Sequence, residues 1–229
     1  MRTAAQTMAL AIGLVIPLAC GDEPPADEAM ATDTEGGDGD GDGDGDGDGE
    51  PYGHENLHPD CIGDAPIVVF ETTLGTMVLQ LDGVQAPITT ANFLGYVSSG
   101  WYDGTIFHRV IDGFVIQGGG FEPGMMLKQT VGTIPLEIDP DLRHVDGAIA
   151  MARREDPDTA ESQWYITDAV QPGLDDSYAV FGVVIDGLDV RNAISGVATH
   201  TVDWMGFPMD DVPVEDVVLT SAYCVTSWP

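Results

Sequence analysis

The most informative segment of this chain is Gly104-Thr105-Ile106-Phe107-His108-Arg109-Val110-Ile111-Asp112-Gly113-Phe114-Val115-Ile116-Gln117-Gly118-Gly119-Gly120. Two short apolar runs flank Asp112-Gly113, and this pattern predicts a β-hairpin that turns at those two residues. Side chains alternate between the two faces of a strand. In the second run we therefore expect Phe114 on the same side as Ile116. Val115 is expected on the opposite side, together with Gln117.

Arg109 and Gln117 are isolated polar residues among β-branched and aromatic ones, close to the glycine triplet Gly118–Gly120. Sparse polar groups in an apolar concavity are typical of a ligand-binding pocket. The segment thus predicts a pocket with apolar walls, in which Arg109 and Gln117 supply the hydrogen-bonding groups.

Acidic residues dominate the charge of the chain. Its 229 residues include 39 acidic and 7 basic side chains, and this length suits one domain with appendages. Thirteen of the acids lie in Gly21–Glu50, which contains no Lys or Arg. A surface of this charge repels nucleic acid and anionic lipid headgroups, so we exclude a nucleic-acid-binding function.

The first 19 residues are expected to be an export signal peptide. Arg2 supplies the positive charge and Met8–Leu18 the apolar run, which is too short for a comfortable membrane span. Pro17-Leu18-Ala19-Cys20 resembles a bacterial lipobox, and this predicts a lipid anchor on Cys20. Pro17 departs from the aliphatic residue usual at its position, so secretion with cleavage elsewhere stays open. Either route predicts an exported protein, in the periplasm or on the outer membrane.

Residues 20–60 are expected to hold the lipid-anchor cysteine and a disordered acidic tether. Gly-Asp repeats fill Gly37–Gly49, and large apolar residues are almost absent from the segment. Alternating aspartates also suggest a calcium site, but no Glu follows at the spacing of an EF-hand loop. We therefore expect no specific metal site, either here or among His54, His58 and Cys61.

Two cysteines remain if Cys20 carries lipid, and Cys61 and Cys224 lie near the two ends of the folded region. Two leftover cysteines in an oxidising compartment indicate a disulfide. The alternative is a pair of unrelated buried thiols.

Residues 61–229 have the composition of a globular domain. Short runs rich in Val, Ile and aromatic residues predict eight strands. The predicted strands are Ile67–Glu71, Thr76–Leu81, Ile106–Val110, Phe114–Gln117, Ala148–Ala152, Gln163–Thr167, Ala179–Ile185 and Val214–Ala222. Helices are predicted from Pro87 to just before Gly100 and over Leu188–Ile194. Without a βαβ rhythm, the predicted fold is mainly β, a closed eight-stranded antiparallel β-barrel capped by two α-helices.

Four blocks of this domain resemble the cyclophilin peptidyl-prolyl cis-trans isomerases in order and spacing. They are Phe107–Ile111 with Gly113–Gly119, Gly147–Arg153, Ser162–Ile166, and Leu174 with Tyr178–Gly182. The resemblance covers roughly residues 67–222. It implies the barrel fold and the cis–trans interconversion of X–Pro bonds, without a cofactor or a metal. It also implies proline-containing polypeptides as partners, and we expect the protein to act as a monomer.

The resemblance also implies roles for individual residues. Arg109, Phe114 and Gln117 match the catalytic set: Arg109 would donate to the proline nitrogen, and Gln117 would orient Arg109 or bind the substrate backbone. The matching substrate-binding positions are Val115, Ala152, Arg153, Gln163, Tyr165, Leu174 and Tyr178. His108 is expected to be structural because the reaction abstracts no proton.

In the family the first and last strands of the barrel run side by side, which implies that Cys61 and Cys224 form a disulfide. Two positions depart from the common pattern: Tyr165 stands where Phe is frequent, and Gly173 where many members carry an aromatic residue. A weakly catalytic chaperone or a proline-peptide-binding adaptor with the same fold is therefore the alternative to an active isomerase.

Overall fold

The computed structural model describes residues 57–229. The predicted signal peptide, Cys20 and the acidic tether as far as residue 56 lie outside the described residues. Between residues 57 and 229, no helix has both the length and the apolar character that crossing a membrane requires.

Thirteen strands and two α-helices form in the described part of the chain. The strands are β1 (Ile67–Thr72), β2 (Gly75–Leu81), β3 (Thr105–Ile106), β4 (Arg109–Ile111), β5 (Val115–Gly118), β6 (Phe121–Glu122), β7 (Met126–Leu127), β8 (Ala148–Met151), β9 (Trp164–Thr167), β10 (Val180–Asp186), β11 (Thr199–Trp204), β12 (Phe207–Pro213) and β13 (Val218–Val225). The helices are α1 (Pro87–Ser98) and α2 (Leu188–Ser195), and short 3₁₀ turns cover Pro59–Cys61 and Pro172–Leu174.

Nine strands form one antiparallel sheet in the order β3-β13-β1-β2-β10-β8-β9-β5-β4. Its two edge strands, β3 and β4, are consecutive in the chain and are separated by Phe107 and His108 alone. Since successive Cα atoms lie about 3.8 Å apart, the two edges are held within about 11 Å of each other. The sheet therefore curls round on itself, and the predicted mainly-β antiparallel fold with two α-helices is confirmed.

The predicted strand Ile106–Val110 is split in two. Its first part pairs with β13, where Ile106 lies opposite Val218, and its second part pairs with β5, where Arg109 lies opposite Gln117. Counting β3 and β4 as the two halves of one extended segment recovers the eight predicted strands. The hairpin predicted at Asp112-Gly113 also forms, between β4 and β5.

The hairpin of β11 and β12 was missed, and the last strand begins at Val218 rather than at the predicted Val214. The side chains of β11 are mostly exposed and show no apolar alternation. Pro208 and Pro213 argue against a strand in β12, because proline cannot donate to a strand ladder. Tertiary pairing, rather than a local pattern, makes these segments strands.

Helix α1 begins at Pro87 and ends at Ser98, as predicted. Every residue of Thr89–Val97 is buried, so the helix is covered on all sides by the rest of the domain. Helix α2 extends one residue beyond its predicted end. The main core lies beneath these elements and is built around aromatic rings. Its largest buried side chains include Phe70, Phe93, Phe107, Trp164 and Phe181.

The described chain enters the domain through packed residues. Leu57 is buried in the main core, and the 3₁₀ turn Pro59–Cys61 follows it. These residues, which the sequence analysis divides between the tether and the domain, pack with the domain in the structure.

Cys61 and Cys224 form a disulfide, with their Cα atoms 5.2 Å apart. The pairing follows from the sheet order, because β1 and β13 are neighbours and Val68 lies opposite Cys224. The structure thus confirms the pairing that the resemblance implies.

Reduction of this disulfide is expected to destabilise the domain by about 2–4 kcal/mol, because the bridge closes a loop of 163 residues in the unfolded chain. Urea denaturation with and without dithiothreitol measures the difference. The Cys61→Ser/Cys224→Ser double variant is the control, since the reductant has nothing to reduce in it. If dithiothreitol leaves the urea midpoint of the natural sequence unchanged, the disulfide is contradicted.

Candidate active site

Four strands align residues from distant parts of the sequence in one row. Arg109 on β4 lies opposite Gln117 on β5, Gln117 lies opposite Tyr165 on β9, and Tyr165 lies opposite Ala150 on β8. Directly opposed residues of an antiparallel sheet project from the same face. The register therefore places Arg109, Gln117 and Tyr165 side by side on one face of the curled sheet.

This face carries an apolar cluster separate from the main core. Its buried members are Phe114, Val115, Ala148, Ala150, Ala152, Tyr165, Leu174, Tyr178 and Val180. Six of the residues predicted for the catalytic and binding set are among them. Residues that alternate with this row, such as Ile116 and Ile166, belong to the main core instead. The predicted pocket wall is thus assembled by β5, β8, β9 and the segment around the turn Pro172–Leu174.

The prediction that Phe114 lies on the same side of the strand as Ile116 is wrong. Phe114 precedes β5 and lies in the turn, where strand alternation does not apply. Its side chain packs in the cluster of Val115, whereas Ile116 packs in the main core. The turn thereby adds a second wall residue that regular alternation would have directed into the core.

Arg109 presents an uncommitted cationic donor beside this cluster. The residue is partly buried, and its Nη1 is buried without a hydrogen-bond partner. Within residues 57–229 it forms no ion pair, unlike Lys128, Arg143, Arg154 and Arg191. Burial lowers the pKa of the guanidinium, and the charges of Asp211, Tyr178 and Asp210 oppose this shift. An arginine with this balance remains a cation at neutral pH.

Gln117 is held by Gln163. Its Nε2 donates to Oε1 of Gln163 at 3.0 Å, while its own Oε1 is buried and has no partner among the described residues. Gln117 faces Arg109 in the strand ladder, but no hydrogen bond joins the two side chains. Of the two predicted roles, this geometry favours binding the substrate backbone over orienting Arg109, because the carbonyl oxygen stays available as an acceptor.

The glycine triplet gives Gln163 and Trp164 the room they need. A Cβ on Gly120 would come within 2.6 Å of Cγ of Gln163, and a Cβ on Gly119 would come within 2.5 Å of Nε1 of Trp164. Gly119 also has φ +75°, which disfavours other residues. The triplet is thus a packing surface for Trp164 and for Gln163, the side chain that holds Gln117.

Arg153 holds Tyr178 in place at the edge of the apolar cluster. Its Nε donates to the carbonyl of Ser177 at 2.9 Å, and its Nη1 donates to the carbonyls of Arg154 and Glu155 at the same distance. The guanidinium also lies 4.9 Å from the ring centroid of Tyr178, a cation–π contact. Arg153 therefore fixes Tyr178, which lies in the apolar cluster.

Sequence reasoning missed His144 and Asp175. The hydroxyl of Tyr165 lies 2.9 Å from Nε2 of His144, and Nδ1 of His144 lies 2.9 Å from Oδ1 of Asp175. Burial raises the pKa of Tyr165 well above its usual range. The sequence signal for this pair was Tyr165, because a buried tyrosine hydroxyl usually has a hydrogen-bond partner.

Comparison with known proteins identifies the family of this chain. The family model described as cyclophilin type peptidyl-prolyl cis-trans isomerase/CLD matches residues 67–223. The chain belongs to this family. Its cyclophilin domain is 45% identical over 163 residues to the peptidyl-prolyl cis-trans isomerase cyp18 of Streptomyces antibioticus, covering 68% of this chain and 96% of that one. It is 42% identical over 163 residues to the peptidyl-prolyl cis-trans isomerase B of Escherichia coli, covering 68% and 97%.

A solved structure gives the same answer. The cyclophilin type peptidyl-prolyl cis-trans isomerase of Cryptosporidium parvum superposes with a TM-score of 0.61 at 28% identity, covering 72% of this chain and 99% of that one. The chain is thus a peptidyl-prolyl cis-trans isomerase, and the predicted family and activity are confirmed.

His108, next to Arg109, is buried and neutral. It is 1% exposed, and the centroid of its ring lies 4.7 Å from that of Phe121. Burial, followed by the charge of Arg109, lowers its pKa to about 3. At physiological pH the ring is therefore uncharged and packed, which supports the structural role predicted for it.

Acid is expected to weaken the domain through His108. Below pH 6.5 the His108 ring is protonated in the unfolded chain, but in the folded domain it is protonated only below about pH 3. The free energy of unfolding therefore falls as the pH falls from 6.5 to 3. Between pH 7 and 4 this amounts to about 3 kcal/mol. Urea denaturation of His108→Asn is expected to show a correspondingly smaller loss, while His200→Asn, at an exposed histidine, should behave like the natural sequence. Equal losses in all three proteins would contradict the assignment.

Proposed function

We propose that this domain accelerates X–Pro rotation in unfolded or flexible proteins of the cell envelope, by non-covalent stabilisation of the twisted bond. Amide resonance creates a barrier of about 18–20 kcal/mol. Twisting breaks this resonance and leaves a lone pair on the proline nitrogen. A donor that meets this lone pair stabilises the twisted state more than either planar state, which is what catalysis requires.

The unpartnered Nη1 of Arg109 is the observation that carries this mechanism. A cationic N–H beside an apolar cluster is poised to donate to the proline nitrogen once the proline ring occupies the cluster. The free Oε1 of Gln117, on the strand next to Tyr165, supplies an acceptor for a substrate backbone N–H. A thousandfold acceleration needs about 4 kcal/mol, within reach of one charge-assisted hydrogen bond plus orientation.

Proline-containing peptides are the proposed ligands. The Cryptosporidium parvum isomerase was solved in the presence of the dipeptide Ala-Pro, and that structure has a TM-score of 0.58 with this chain at 28% identity. The apolar walls at Phe114 and Leu174 offer a proline ring the surface it needs. The alternative, a weakly catalytic chaperone or adaptor with the same fold, would bind such peptides and leave their isomerisation rate nearly unchanged.

Arg109→Ala is expected to lower kcat at least a hundredfold with little loss of stability, because it removes a donor to the twisted bond and no core group. A proline-isomerisation assay on a chromogenic X–Pro peptide measures this. Arg154→Ala is the matched control, since Arg154 is a partly exposed arginine that pairs with Glu161 at 2.7 Å. Retention of more than half of the natural kcat/KM by Arg109→Ala would refute the mechanism.

We further propose export of the protein as a monomer held to the membrane through a lipid on Cys20. The charged start, apolar run and lipobox-like Pro17-Leu18-Ala19-Cys20 support this proposal. The Cys61–Cys224 disulfide supports it independently, because disulfides persist in oxidising compartments outside the bacterial cytoplasm.

Expression of the full chain in a bacterial host tests the anchor. We expect the natural sequence in the membrane fraction with the mass of an acylated Cys20 at its mature N-terminus. Cys20→Ser should lose that mass and leave the membrane fraction. A soluble exported protein cut at another position would instead establish plain secretion.

A further inference from the structure

The hydrogen-bonded side chains of Tyr165, His144 and Asp175 join the pocket wall on β9 to the segment that follows the turn Pro172–Leu174. The Tyr165 hydroxyl contacts Nε2 of His144, whose Nδ1 contacts Oδ1 of Asp175, with 2.9 Å at each step. The side chains of Tyr165 and His144 are entirely or almost entirely buried, and their rings lie nearly parallel at 11°. The rest of the cluster that Tyr165 belongs to is apolar apart from Tyr178. A fixed polar chain therefore ends in the wall of the proposed proline pocket.

The direction of the protons follows from Asp175. Its carboxylate also receives the backbone N–H of His144 at 2.8 Å, and Arg143 lies 3.7 Å from its other oxygen. Burial raises the pKa of Asp175, but the hydrogen bonds from His144 outweigh it and the pKa is lowered. An ionised carboxylate only accepts, so His144 carries its proton on Nδ1 and its Nε2 accepts from the Tyr165 hydroxyl. Each member of the chain is then satisfied.

The chain connects two walls of the pocket. Asp175 directly follows the turn Pro172–Leu174, and Leu174 lies in the pocket cluster with Tyr165. A second link joins the same segments, because the Gln171 backbone N–H donates to the carbonyl of His144 at 2.8 Å. The Tyr178 ring meets the Tyr165 ring edge-on at 5.8 Å. Displacement of the Tyr165 ring would therefore change its separation from Leu174 and Tyr178.

We propose that His144 and Asp175 are positioning residues, which set the width of the proline pocket by holding Tyr165 against the segment of Leu174. This inference rests on the proposed function of the pocket. A proline ring occupies the pocket in the planar and in the twisted state alike. Loss of the positioning chain therefore weakens binding in both states, and raises KM while leaving kcat nearly unchanged. Arg109 variants are expected to show the opposite division.

The test compares His144→Leu, Tyr165→Phe and the double variant with the natural sequence, at a temperature well below each melting point. His144→Leu leaves the Tyr165 hydroxyl buried without a partner and is expected to raise KM five- to tenfold, with kcat changed less than twofold. Tyr165→Phe keeps the ring and should raise KM two- to threefold. The double variant lacks the same contact, so its KM should stay raised but should not exceed that of His144→Leu, because the two changes break one interaction. His200→Leu, at an exposed histidine on β11, is the matched control.

Two further measurements separate positioning from a purely structural role. The Kd of an Ala-Pro-containing peptide, measured by NMR titration, should follow KM through the series. Ring ¹⁵N signals of His144 should report a neutral Nδ1–H tautomer that changes in Tyr165→Phe. If His144→Leu does not fold, Tyr165→Phe decides the question, because it preserves the shape of the wall.

Unchanged KM and Kd in folded Tyr165→Phe and His144→Leu would overturn the inference and leave the proposed function standing. The same holds if the rise of KM in the double variant is the product of the two single rises, because the two residues would then act independently. A natural sequence that neither binds nor isomerises proline peptides would overturn the proposed function and this inference together.

Discussion

The segment Thr105–Ile111 is the constraint on which the rest of the domain depends. Its first residues pair with β13 and its last with β5, so one stretch of chain holds both edges of the sheet. Phe107, at the break between the two pairings, packs edge-on against Trp164 with ring centroids 5.5 Å apart. Arg109 is the first residue after this break. The residue proposed to donate to the twisted bond is therefore fixed by the same pairing that curls the sheet.

Local pattern predicted much of this architecture. The apolar runs located eight strand segments, Pro87 marked the start of α1, and Asp112-Gly113 marked the hairpin beside the site. The family blocks assigned Arg109, Phe114 and Gln117, which the strand register and the turn bring to one pocket. These features are encoded within a few residues of sequence, either as alternation or as turn chemistry.

The missed features depend on contacts between distant residues. Tyr165 and His144 are 21 positions apart, and His144 and Asp175 are 31 apart, so no local period connects them. Strand β11 is polar and acquires its structure by pairing with β12. Phe114 was placed on the wrong side because alternation was extended into a turn. In each case a tertiary partner, absent from the local pattern, determines the outcome.

Two of the few basic side chains of the domain, Arg191 and Arg109, lie at or next to the pocket. The described residues hold 25 acidic side chains but only six Lys and Arg. Arg191 is buried on α2 and contacts Asp146 and Asp168 at 2.7 and 3.0 Å. Asp168 in turn accepts the backbone N–H of Gly113, in the turn that carries Phe114. The ion pair of Arg191 with Asp168 thus supports the turn that carries Phe114. Arg109 has no such ion pair among the described residues, so its charge is available to a ligand in the site.

The Cys61–Cys224 bridge has a mechanical consequence. It joins the chain ahead of β1 to the end of β13, and these two strands are already neighbours in the sheet. A pulling force applied to the chain before Leu57 meets this covalent link before it reaches Ile67, the first residue of β1. The force then passes into the crosslink instead of peeling β1 from its partners. If the enzyme is held at its N-terminal end, tension on the chain therefore leaves the strand pairing of the sheet that shapes its pocket intact.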